Sequence, residues 1–238
     1  MPAVAELSPV RALMVADGVQ VWRASLHQPA GVVDRMVALL SPDERARASR
    51  LRSDSKRNGF VIARGILRTL LGDVLDTAPE LVTFSYGKNG KPELASQCGG
   101  ASIHFNVSHA GDLAIFAVAR DRRTGVDLEW TEGAYPIEGV AARFFSSVER
   151  ESLAAASPFD RRRVFFQIWA RKEAYLKGRG EGISEWIYTT DFTSVSDYDP
   201  SGRPAGGRVY DRDGWRVRDV AELPRGYVAS VAVERRRQ

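Results

Sequence analysis

The sequence predicts an α+β fold made of two similar α+β halves related by a pseudo-twofold axis. Two observations carry that expectation. Leu39-Leu40-Ser41-Pro42-Asp43-Glu44-Arg45 is matched 105 residues later by Phe144-Phe145-Ser146-Ser147-Val148-Glu149-Arg150, and Phe60 and Phe165 open aromatic-led helical stretches at the same offset. Each half also carries runs in which apolar residues alternate with period two, the pattern of sheet strands. Two copies are too few for a solenoid. The pattern therefore reads as a duplicated unit, residues 1–125 and 126–238, with the acids of a candidate metal site in the second.

Taken in order, the chain opens on a polar, mobile lead, and Val19 to Leu26 alternates as the first strand. Ser41-Pro42-Asp43-Glu44 is a helix start: a serine cap, proline at the first helical position and glutamate three after the cap. Arg45 to Arg52 is too charged for a core and is expected on the surface. Phe60 to Leu71 reads as a buried helix with Arg64 and Arg68 on one edge and Gly72 as its stop. Phe84 to Leu94 is a glycine-punctuated turn carrying Lys88 and Lys91. Ile103 to His109 alternates and ends in polar groups, and Leu113 to Ala119 is expected to pair with Thr124 to Glu129 across Asp121-Arg122-Arg123.

Phe165 to Leu176 is a second amphipathic helix, with Gly178 as its stop. The glycines of Arg179 to Ser184 mark a helix exit, since a phosphate-cradling loop precedes its helix rather than following it. A surface loop between Ser196 and Gly207 precedes a closing pair of strands, Trp215 to Val217 and Tyr227 to Val233.

Composition bounds the function. A single cysteine, Cys98, excludes an internal disulfide framework and a cysteine-based zinc cage. The start of the chain lacks a secretory pattern, and no apolar run approaches the ~20 residues of a membrane span, so the expectation is a cytoplasmic protein without membrane contact. The net charge of +4 and pI near 9.4 favour anionic partners. Arg161-Arg162-Arg163 and Arg235-Arg236-Arg237 are not interleaved with base-stacking aromatics, so nucleic acid is not the expected one.

The chemistry lies in a few side chains. Asp127 and Glu129 share one face of a strand, because side chains alternate with period two. Glu173 and Lys177 stand one helical turn apart and emerge on one face. Carboxylates at the end of an apolar hairpin either pair with arginines or bind a hard cation. Asp127, Glu129 and Glu173 suit Mg²⁺, which keeps waters and takes further oxygens from substrate phosphates. Lys177 reads either as a helix-end cation or as the group that neutralises or protonates a phosphate leaving group. Lys88 and Lys91 could face a phosphate; Asn106, Ser108 and His109 could bind one or simply close a strand. Neither Ser108 nor Cys98 has the local signature of a catalytic nucleophile.

Five of these stretches resemble one family. They are Gly90-Lys91-Pro92, Phe105-Asn106-Val107-Ser108-His109, Gly125-Val126-Asp127-Leu128-Glu129, Phe144-Phe145-Ser146 and Trp169-Ala170-Arg171-Lys172-Glu173-Ala174-Tyr175-Leu176-Lys177-Gly178. In this order and spacing the sequence resembles the surfactin-synthetase-activating type of 4′-phosphopantetheinyl transferase. The resemblance implies a monomer of two α+β halves with the site between them. It implies transfer of phosphopantetheine from coenzyme A to a serine of an apo acyl or peptidyl carrier protein.

In that reaction Asp127, Glu129 and Glu173 would hold Mg²⁺, Glu173 or a metal-ordered water would help deprotonate the serine, and Lys177 would assist the leaving phosphate. Lys88, Lys91, Asn106, Ser108 and His109, with Lys172 and Lys177 of the last motif, would contact coenzyme A. One of Arg52, Arg57 and Arg64 would bind its 3′-phosphate. The alternative is another Mg²⁺-dependent phosphotransferase or phosphohydrolase acting on a nucleotide-like substrate.

Overall fold

The computed structural model describes residues 10–87, 90–98, 102–180, 190–192 and 209–235. Strands β1 (Val10–Ala16) and β2 (Val19–Ser25) form a hairpin whose turn, Asp17-Gly18, takes positive φ at both residues. Three helices follow: α1 (Ala30–Leu39), α2 (Pro42–Ser49) and α3 (Asp54–Leu75). A small hairpin, β3 (Phe84–Tyr86) and β4 (Pro92–Leu94), leads to β5 (Ile103–Ala110) and β6 (Leu113–Arg120). The remainder is β7 (Thr124–Trp130), α4 (Ile137–Phe144), α5 (Ser147–Ala155), α6 (Arg161–Arg179), β8 (Val209–Arg212), β9 (Trp215–Asp219) and β10 (Tyr227–Glu234).

Two antiparallel four-stranded sheets carry the fold, in the orders β1-β2-β6-β5 and β7-β10-β9-β8. Alternation along the central strands sorts their side chains. Leu113, Ile115, Ala117 and Ala119 of β6 join Val126, Leu128, Ala229, Val231 and Val233 in a core between the sheets. The intervening Ala114, Phe116 and Val118 face the other way and pack with Ile62, Ile66 and Leu70 of α3. On the far side, Val228 and Ala232 of β10 pack with Phe165, Ile168 and Trp169 of α6. The layers are helix, sheet, sheet, helix. Both faces of β6 and β10 are covered, which is why those strands are apolar almost throughout.

The order strand, two short helices, long helix, strands occurs twice, and β2 and β7 begin at Val19 and Thr124, α2 and α5 at Pro42 and Ser147. Both short helices open with a capping box, Ser41 with Glu44 and Ser146 with Glu149. Both box glutamates are buried against a cation from the long helix: Glu44 meets Arg68 Nε at 2.7 Å and Glu149 meets Lys172 Nζ at 2.8 Å. The charged residues of Arg45 to Arg52 are exposed, as expected, and within that stretch only Ala48 is buried; Glu44, just before it, is buried because the partner arginine makes that possible.

Three expectations are corrected. The lead segment contributes β1 from Val10, because the Asp17-Gly18 turn folds it back onto β2. Strands β6 and β7 do not form a hairpin: β7 crosses to the second sheet and pairs with β10. Neither Gly72 nor Gly178 stops its helix. The left-handed residues Asp76 and Gly180 do, and the two glycines instead let neighbouring groups come close. The loop expected over 196–207 and the exit over 181–184 lie outside the described residues. No helix among the described residues is long and apolar enough to cross a membrane.

Candidate active site

Strand β5 ends the first sheet and β7 ends the second, so two sheet edges meet in a seam. Asn106 fixes their register: its side-chain carbonyl accepts the Val126 N–H at 2.9 Å. Two residues on, and therefore on the same face of β5, Ser108 reaches Asp127. The helix α6 closes the seam from above. It can do so because β7 has no side chain at Gly125, where a Cβ would lie 2.1 Å from the Ala174 carbonyl oxygen and 2.3 Å from the Gly178 nitrogen. That close approach brings Glu173 and Lys177 over the acids of β7.

The centre is a closed ring of three groups. Lys177 Nζ donates to Asp127 Oδ1 at 2.5 Å and to Ser108 Oγ at 3.2 Å, and Ser108 Oγ donates to the same Oδ1 at 3.0 Å. The other oxygen, Asp127 Oδ2, is buried and has no hydrogen-bond partner among the described residues. Burial pushes the Asp127 carboxyl up, against the pull of Lys177 and Ser108. Glu129 is pushed up to about 7, first by burial and then by the nearby Asp127 and Glu173 carboxylates, with Lys177 and an indole hydrogen bond from Trp169 opposing. Glu173 is raised by burial and then by Asp127.

Among the described residues, no three acidic, histidine or cysteine side chains are gathered closely enough to hold a metal ion as they stand. The acids repel one another, and an ammonium occupies Asp127 Oδ1. The donor set nevertheless fits a hard divalent cation. All donors are oxygens, one is an orphaned buried carboxylate oxygen, and among the described residues Lys177 is the ammonium paired with this cluster.

The other expected residues fall into three groups. Lys91 lies at the seam's other end, where Nζ donates to the Lys177 carbonyl at 2.7 Å, and His109 is exposed at the end of β5. Arg52 is exposed; Arg57 is tied to Asp54 Oδ1 at 2.7 Å and to the Leu51 carbonyl at 3.1 Å. Lys88 lies outside the described residues.

Two of the expected residues are buried in ion pairs. The ammonium of Lys172 is 1% exposed, paired with Glu149 and donating to the Thr190 carbonyl at 2.7 Å. Arg64 is likewise buried, with Nη1 3.4 Å from Glu44 Oε1 and its guanidinium over the Phe60 and Phe84 rings, so its charge serves the core of the first half. Glu149 belongs to that same class of buried partners, away from the seam; it also accepts the Phe192 N–H at 3.2 Å.

Sequence reasoning missed two participants. Trp169 lies close enough to Glu129 for its indole to pull that carboxyl's pKa down, against burial. Tyr135 packs at a tilt against Phe165 and Phe166, and burial raises its hydroxyl's pKa, with Glu129 and Glu173 adding to the rise. It stands in a loop with no periodicity to reveal it. Beside the seam, a cavity of about 230 Å³ at the end of α6 is lined by Lys91, His104, Arg123 and Arg179 among others.

Acids and an ammonium converge on a seam between two sheet edges. The chain belongs to the 4′-phosphopantetheinyl transferase superfamily. The pattern of that superfamily matches residues 123–232, and the pattern described as 4′-phosphopantetheinyl transferase, N-terminal, matches residues 20–121.

It is similar to 4′-phosphopantetheinyl transferase HetI of Nostoc sp., at 38% identity over 177 residues, covering 74% of this chain and 75% of the relative. A 4′-phosphopantetheinyl transferase of Bacillus subtilis is 29% identical over 190 residues, covering 77% and 82%. The transferase Sfp of Bacillus subtilis strain 168 is 27% identical over 152 residues, covering 63% and 65%. The family expected from the five motifs is the family found. The expected division at 125/126 falls inside β7, whereas the two matched regions part between 121 and 123.

Proposed function

We propose that the protein transfers the 4′-phosphopantetheine arm of coenzyme A to a serine hydroxyl of an apo acyl or peptidyl carrier protein. The serine oxygen forms a new P–O bond, the pyrophosphate P–O bond breaks, and adenosine 3′,5′-bisphosphate leaves. The observation that carries this reading is the ring of Asp127, Lys177 and Ser108, flanked by Glu129 and Glu173, in a chain of this superfamily.

Asp127, Glu129 and Glu173 would hold Mg²⁺, which when bound supplies charge neutralisation and in-line orientation of the pyrophosphate. Glu173, kept basic by burial and by Asp127, accepts the serine proton. The ammonium of Lys177 neutralises the charge that grows on the leaving bisphosphate. Lys91 and an exposed arginine (Arg52, or Arg57 once released from Asp54) offer cations, and His109 a ring nitrogen, to the rest of coenzyme A. The basic wall of the neighbouring cavity extends that field. The recurring element order supports two halves related by a pseudo-twofold axis. One chain supplies both sides of the seam, so a monomer suffices, working in the cytoplasm on carriers that are soluble and acidic.

Intact-mass measurement of apo carrier domains incubated with enzyme, coenzyme A and Mg²⁺ tests the reading. The expected result is a gain of one phosphopantetheine on at least one carrier, falling at least ~100-fold in rate with Glu173→Ala. Coenzyme A binding with no gain on any carrier would move the assignment to another phosphotransfer reaction.

A further inference from the structure

Ser108 was expected to contact coenzyme A, but its hydroxyl proton is spent on Asp127. It is 6% exposed, donates to Asp127 Oδ1 at 3.0 Å and accepts from Lys177 Nζ at 3.2 Å. A serine hydroxyl has one proton and two lone pairs, and here the proton goes to the carboxylate and one lone pair to the ammonium. The next residue along the strand, His109, turns to the exposed side. Asn106, two residues before, locks β5 to the backbone of β7 at Val126, so Ser108 is carried opposite Asp127 by a fixed register.

We propose that Ser108 is a positioning residue of the metal site: it holds Asp127 Oδ1 together with Lys177, leaving the orphaned Oδ2 as the oxygen that ligates the cation. The proposal rests on the metal-dependent reading above. A carboxylate on a strand can rotate about its last bond. Two donors on one oxygen stop that rotation and settle which oxygen is available. Without Ser108, Lys177 alone would hold Oδ1, and a single long side chain does not fix the carboxylate plane. Groups that orient a ligand in this way change metal affinity by about 10–100-fold when removed. The arrangement also makes the first half of the chain a contributor to the metal site, although all three acids belong to the second.

The test is a titration with Mn²⁺, followed by electron paramagnetic resonance, on wild type, Ser108→Ala and Ser108→Cys, with circular dichroism as the check on folding. Cysteine keeps the side chain's shape but offers only a weak donor. Both variants are expected to bind Mn²⁺ about 10-fold or more weakly, while calorimetric binding of coenzyme A without metal stays at the wild-type level. Unchanged Mn²⁺ affinity in the folded cysteine variant overturns the proposal, even if the alanine variant does not fold. So does weakened metal-free coenzyme A binding with Mn²⁺ affinity intact, since that returns Ser108 to direct substrate contact. Wild-type protein that binds coenzyme A but not Mn²⁺ overturns the metal site and this proposal together.

Discussion

Glu129 shows how burial and repulsion act on one side chain. Its carboxyl is raised from 4.5 to about 7 by burial and by two neighbouring acids. In the metal-free protein the folded state therefore keeps a proton that the unfolded chain releases between those two values. Stability must fall as pH rises through that window, because the folded state binds the extra proton. Glu129→Gln removes the cost. At pH 8 without metal the variant is expected to melt about 2–4 °C above wild type, the shift of roughly 1 kcal/mol in a chain of this size. The difference should vanish below about pH 4.5, where both side chains are neutral. With Mg²⁺ and coenzyme A present the order should reverse, since only wild type gains the stabilisation of bound ligand. Melting curves across pH decide it; a difference that does not change with pH would mean that Glu129 feels no such field.

At the scale of elements, the decisive contact is α6 against β7. Gly125→Ala would place a Cβ 2.1 Å from a helix carbonyl oxygen, and backbone on both sides leaves no rotamer to relieve it. The expected cost is about 3 kcal/mol or more, lowering the melting temperature by roughly 6–12 °C, with transfer activity lost as Glu173 and Lys177 lift from Asp127. Gly139→Ala is the control, because a Cβ there meets nothing within 4 Å and the position lies inside α4. It should stabilise slightly, as alanine is the better helix former. If both variants melt alike, close approach is not what seats the helix.

Much of this was legible in the sequence. The capping boxes at Ser41 and Ser146 were readable because they are local chemistry. So was the shared face of Asp127 and Glu129, which follows from strand period alone. Lys172 shows a signal that was present and unused. It stands five residues before Lys177, roughly 140° around the helix, and so cannot share its face. Other features had no local signal. Alternation marks β6 and β7 as strands but does not say that they belong to different sheets. Charge marks Glu44 as polar but does not reveal that Arg68 arrives from another helix to bury it. Periodicity fixes which side chains share a face, and only the packing of distant segments fixes what that face meets.

At the scale of the whole molecule, the two sheets are joined along three lines. The seam of β5 and β7 is one, the apolar layer between the sheets is the second, and the third is a charged rim at the opposite side. There Asp17, in the β1–β2 turn, accepts from Arg216 Nη1 at 2.8 Å and Arg218 Nε at 2.7 Å of β9. Arg122 adds hydrogen bonds to the backbone carbonyls of Asp17 and Glu234. Burial pushes the Asp17 carboxyl up, but the two arginine hydrogen bonds outweigh it and hold the group below its ordinary 3.8. A depressed acid contributes stability that is complete above its unfolded value and is lost as pH falls through its folded one.

Asp17→Asn isolates that charge, because asparagine also accepts the positive φ that the turn requires. The rim is partly solvated, so the expected loss at pH 7 is about 1 kcal/mol, or about 2–4 °C in melting temperature. The gap should close on acidification below about pH 3.8, where wild type loses the same charge. Sheet order puts this rim across the molecule from β5 and β7, so the rate of transfer at saturating coenzyme A and carrier should not change. A slower transfer with an unaltered melting temperature would instead mean that the rim sets the width of the seam, and that the two sheets move as levers about the apolar layer between them.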